Sequence, residues 1–70
     1  MIELDFAERL RTLRRENDLT QEKLADILQV TQRKISYWES GKFEPDLISL
    51  WKIADFFDIS IDILIGRKNF

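Results

Sequence analysis

Hydrophobic positions recur along this chain at spacings of three and four, the period of one face of an α-helix. Phe6, Leu10 and Leu13 set the first stripe and predict a helix from about Leu4 to Glu16. Asn17 and Asp18 end it, because both favour turns over helix interiors. Leu24, Ala25 and Leu28 form a second stripe behind Thr20, a helix N-cap, with Glu22 in the first turn where the helix dipole favours an acid. Ile35 and Trp38 line a third helix that Thr31 caps and that runs to about Ser40, with Gly41 as its stop. Phe43, Glu44 and Pro45 form a loop. Asp46 begins a fourth helix, along which Leu47, Leu50, Ile53, Ala54 and Phe57 repeat. Ser60 and Gly66 bracket a short fifth helix across the β-branched stretch from Ile59 to Ile65. Nothing reads as a strand. The expected fold is all-α, a compact five-helix domain over residues 1–70 with its core between 4 and 66.

The second and third stripes are short, apolar on one side, and separated by a tight break at Gln29 and Val30. Two such helices form a helix-turn-helix. Ala25 is small where the helices must approach, and Gln29 stands where a left-handed backbone is often required, at about 1 kcal/mol of strain for a residue other than Gly. The outward side of the third helix is Gln32, Arg33, Ser36 and Tyr37. Side chains of that kind can hydrogen-bond to base edges, which makes double-stranded DNA the leading partner. Tyr37, beside Trp38, fits either half-buried packing or a DNA contact. Trp38 belongs to the core.

Composition narrows the alternatives. The chain has no cysteine and no histidine, so it lacks disulfides, Cys-based metal sites and the commonest general base. No Gly-rich phosphate loop and no recognisable pair of carboxylates is present, so neither an enzyme nor a metal or cofactor site is expected. No apolar run approaches the roughly 20 residues of a membrane span. The acidic start, Met1 to Asp5, is unlike a signal peptide, so the expectation is a soluble cytoplasmic protein, nucleoid-associated when bound to DNA. The net charge of −2 argues against DNA, but its distribution matters more than its sum. Arg9, Arg11, Arg14 and Arg15 cluster without an acid, whereas Glu44 to Asp62 carries five acids and one lysine. A basic face with an acidic back can still hold a phosphate backbone, with a shallow salt dependence.

The order of these residues resembles the Cro and phage-repressor type of helix-turn-helix, also called XRE-like. The resemblance covers about Phe6 to Gly66. It rests on Leu10, Leu13 and Arg14; on Leu19 to Glu22 with Leu24 and Ala25; on Ile35, Ser36 and the run Trp38 to Lys42; and on Pro45, Leu50, Ile53, Ala54, Phe57, Ile59 to Asp62, Leu64 and Gly66. It implies a transcriptional regulator, usually a repressor, that binds a palindromic operator as a homodimer and that often carries a further C-terminal segment. By the same resemblance Gln21 contacts a phosphate and braces the next helix. Gln32 reads the first base, with Arg33 after it and Ser36 and Tyr37 one turn on. Thr31, Lys34 and Lys42 serve the backbone. Arg14 and Glu39 pair across helices one and three. If that pair is buried, removing one partner should cost about 3–5 kcal/mol.

Apolar residues near the C-terminal end exceed what the back of a small monomer needs. Trp51, Phe56, Ile61, Ile63, Ile65 and Phe70 are the set, and Ile63 and Ile65 fall on different faces of helix five. Trp51, Ile61, Ile63 and Ile65 are the candidate dimer contacts. The alternative function is a protein-binding module, an antitoxin or adaptor built on the same fold. No small-molecule ligand is evident.

Overall fold

The structure is a computed structural model, and it describes residues 5–67. The expected helix start at Leu4, and Phe70, lie outside those residues. Five helices follow in order: α1 (Phe6–Glu16), α2 (Gln21–Leu28), α3 (Gln32–Ser40), α4 (Leu47–Phe57) and α5 (Ile61–Ile65). Among the described residues there is no strand.

Local chemistry starts three of these helices. The hydroxyls of Thr20, Thr31 and Ser60 accept from the backbone N–H of Lys23, Lys34 and Ile63 at 3.0, 3.2 and 3.1 Å. Each satisfies a donor that the first helical turn leaves unpaired. All five helices end by one device. A left-handed residue (Asp18, Gln29, Gly41, Asp58 or Gly66) turns the chain. The next N–H then reaches back to a carbonyl of the last turn, as Val30 does to Ala25 at 3.0 Å and Lys42 to Tyr37 at 3.0 Å. The backbone at Gln29 has φ 60°, the conformation expected of that turn.

Packing closes the five pieces around one centre. Leu10, Leu24, Ile35, Ile53 and Leu64, one from each helix, are fully buried. Phe6, Ala25, Leu28, Trp38 and Ala54 complete the core. Burying a side chain of this size favours folding by roughly 1.5–3 kcal/mol. Helix α3 packs against both α1 and α2, so its inner face is held from two sides. Gly66 sits at φ 91°, where a Cβ would come within 2.9 Å of Asp5. Asp5 donates its N–H to the Ile65 carbonyl at 3.2 Å, so the end of α5 closes onto the start of α1.

Leu47 departs from its stripe. It is 83% exposed, although its spacing groups it with the buried Ile53 and Ala54. As the first residue of α4 it overhangs the bundle, and packing begins one turn later at Leu50. Ile63 and Ile65 are both half-buried, on two different clefts along α1.

Candidate nucleic-acid interface

Because α3 has α1 on one side and α2 on the other, one ridge of it is left outward. Thr31, Gln32, Arg33 and Lys34 are exposed there, and Ser36 and Tyr37 are half-exposed one turn on. The ridge is not covered by the chain's own helices. Lys42 follows directly after the Gly41 turn and is exposed. Its ammonium lies 4.6 Å from the Tyr37 ring centre and 5.9 Å from that of Phe43. The two rings meet edge to face at 5.1 Å. An aromatic pair thus holds one cation at the C-terminal end of the ridge. Phe43 was legible only as a loop residue, since nothing in its local pattern distinguishes a ring that meets Tyr37 from one in solvent.

Behind the ridge runs a continuous polar network. Arg14 and Glu39 face each other fork to fork: Nε donates to Oε2 at 2.6 Å and Nη2 to Oε1 at 3.0 Å. The side chains are 12% and 4% exposed, so Glu39 is buried and Arg14 largely covers it from solvent. The hydrogen bond to Glu39 raises the guanidinium pKa, with burial opposing. The third arm of Arg14 donates to the Leu19 carbonyl at 2.8 Å, which ties in the α1–α2 turn. Gln21 Nε2 donates to Glu39 Oε1 at 3.1 Å, and Gln32 Nε2 donates to Gln21 Oε1 at 3.4 Å. The first outward residue of α3 is therefore linked through the Gln21 side chain to an ion pair in the scaffold.

Glu39 lies in the last turn of α3, where the helix dipole disfavours a negative charge. Arg14 offsets that cost. Arg11 helps, donating to the Glu39 carbonyl at 2.9 Å and capping an otherwise unpaired acceptor of the helix end. Arg11 and Arg14 are thus committed to the scaffold. The signal for Arg11 was available in its place one turn before Arg14 on the same face of α1.

The expected dimer residues differ in exposure. Trp51 is 64% exposed and Ile61 38%, while Ile63 and Ile65 are half-buried. The conspicuous apolar ridge is instead Leu47, Ile48 and Trp51 on α4, with Ile48 63% exposed. Among the described residues no cluster of acids could hold a metal ion, and no helix is long and apolar enough to cross a membrane.

Residues 10–64 match the family model described as helix-turn-helix. The chain is 47% identical over 66 residues to the HTH-type transcriptional activator BcrR of Enterococcus faecalis, covering 94% of this chain and 32% of that protein. Its fold is similar to the crystal structure of a transcriptional regulator from Listeria innocua (TM-score 0.88, 38% identity, 93% of this chain and 61% of that one). It is also similar to the P22 c2 repressor in complex with a synthetic operator (TM-score 0.83, 27% identity, 90% of this chain and 96% of that one). The chain spans less than two thirds of BcrR and of the Listeria regulator, and corresponds to one part of each.

Proposed function

The chain belongs to the XRE-like helix-turn-helix family of transcriptional regulators, related to phage repressors, and from that membership we propose that it binds duplex DNA sequence-specifically by seating α3 in the major groove. The observation that carries this reading is the exposed ridge from Gln32 to Tyr37, standing clear of its own fold and braced from behind by Gln21 and the Arg14–Glu39 pair. Similarity to a repressor described with its operator supports it.

Roles follow from reach and chemistry. Gln32 and Arg33, on the first turn of α3, read base edges: glutamine suits adenine and arginine suits guanine. Ser36 and Tyr37 extend that contact along the groove. Thr31 spends a hydroxyl lone pair on capping Lys34 but keeps its O–H to donate to a phosphate. Lys34 and Lys42 supply positive charge for the backbone, and Gln21 serves both a phosphate and Gln32. Few cations line this face, so the salt dependence is shallow for a DNA-binding domain.

One copy covers half of a palindromic site, and two-fold symmetry of the protein matches that of the site. The Leu47, Ile48 and Trp51 ridge, with Ile61, is the surface on which a second copy would seat. Its four exposed side chains are few against the roughly 800 Å² per partner of a stable interface. The homodimer therefore forms on DNA more readily than free in solution. Occupying promoter DNA by this means makes a repressor in the simplest case. The relatives named above include one called an activator and one called a repressor, so this fold does not set the sign.

Selection of bound duplexes from a random pool tests the reading. A palindrome should be enriched. Gln32→Ala should then cost about 1–3 kcal/mol and relax one base position in each half-site. Lys42→Ala should weaken all sequences alike and lower the salt slope by about one. No enrichment, with a protein captured instead, would support an antitoxin or adaptor module.

A further inference from the structure

Glutamine can present either of two faces to a base, depending on which way its amide points. An amide whose oxygen and one N–H are both free matches adenine, which offers an N6–H donor beside the N7 acceptor. An amide that has given its oxygen away keeps two N–H donors and matches guanine, whose O6 and N7 both accept. Residue type alone does not choose between these, so something in the fold must.

The structure contains a group that can choose. A carboxylate has only acceptors. Glu39 Oε1, held by Arg14 Nη2 at 3.0 Å, also receives Gln21 Nε2 at 3.1 Å. The Gln21 nitrogen must therefore point inward, which turns its oxygen toward α3. That oxygen meets Gln32 Nε2 at 3.4 Å. Gln32 is left with its oxygen and one N–H, the pattern that fits adenine. We propose that Glu39 is a positioning residue for base choice, setting the direction of the Gln21 and Gln32 amides and so biasing Gln32 toward adenine. The inference rests on the DNA-binding reading above.

Glu39→Gln is the direct perturbation. Arg14 aims a donor at each Glu39 oxygen, so an amide there sets its nitrogen against one of them and presents either its oxygen or its nitrogen to Gln21. The direction of the Gln21 and Gln32 amides is then no longer imposed. Gln21→Met is the second variant. It cuts the relay and leaves the Arg14–Glu39 pair untouched. Random-pool selection and binding to the four single-base variants of the selected site are measured for the parent chain and both variants, each first checked for folding by its melting curve. The parent chain should prefer adenine by about tenfold or more at the position that Gln32→Ala relaxes. Gln21→Met and Glu39→Gln should each bring adenine and guanine toward parity.

A merely structural role would lower affinity for all four bases and leave their order unchanged. Full adenine preference in either folded variant overturns the inference, as does a base other than adenine under Gln32 in the parent chain. Both results leave DNA binding standing. A parent chain that enriches no site overturns the DNA-binding reading and this inference with it. If Glu39→Gln does not fold, Arg14→Met with Glu39→Leu, which removes the same acceptor, takes its place, and full adenine preference in that variant overturns the inference.

Discussion

Replacing Arg14 by methionine should take a large share of the domain's stability. The substitution keeps most of the side-chain volume and removes three hydrogen bonds, two to Glu39 and one to the Leu19 carbonyl. Glu39, 4% exposed, then keeps the Gln21 amide for its carboxylate. A buried charge stripped of its partner costs about 3–5 kcal/mol, against under about 1 kcal/mol for an exposed pair. The exposures of 12% and 4% decide for the larger figure. A domain of this length has a total stability of roughly 4–10 kcal/mol. The melting temperature should therefore fall by roughly 12–40 °C.

Urea unfolding, followed by the fluorescence of the buried Trp38 and by far-ultraviolet circular dichroism, measures the loss. Changing both partners, Arg14→Met with Glu39→Leu, separates desolvation from packing. That double variant should recover most of the stability, since apolar pairs of similar volume often match or exceed a buried ion pair. It should still lose base discrimination, because Gln21 has no anchor. A single variant costing under about 1 kcal/mol would refute the reasoning, and so would a double variant as unstable as the single.

Two further variants probe the turn and the dimer surface. Gln29→Gly relieves about 1 kcal/mol of left-handed strain at φ 60° but adds about 0.4–1 kcal/mol of freedom to the unfolded chain, for a net gain of at most about 0.6 kcal/mol. A lower urea midpoint would count against that account. Trp51→Glu changes a side chain that is 64% exposed, so stability should move by no more than about 0.5 kcal/mol. On a palindromic duplex, sedimentation should register one bound copy of this variant where the parent chain places two. Two copies at equal affinity would remove α4 from the interface.

Much of the fold was legible because its instructions are local. Thr20, Thr31 and Ser60 act three residues away from themselves, and Gly41 and Gly66 act at their own backbone. The spacing of Leu10, Leu24, Ile35 and Ile53 marks the buried side of the first four helices. The site was less legible. Gln32 and Arg33 show by position that they face outward, but their bracing comes from residues remote in the chain. Glu39 is 18 residues from Gln21, 25 from Arg14 and 28 from Arg11. No periodicity encodes those separations, and Arg14 and Glu39 were paired only by family resemblance. Leu47 misled because a stripe of apolar spacing says which side of a helix is apolar and not where the neighbouring helix stops.

By itself, then, the sequence determined five helices, where each of them stops, and the polar outer side of the third, because capping, turn chemistry and helical period act over a few residues. The tertiary structure decided which acceptor each amide meets, which arginines are spent on the scaffold, and which apolar ridge stays in water. Those outcomes depend on how whole helices cross, and only packing around the shared core sets that geometry.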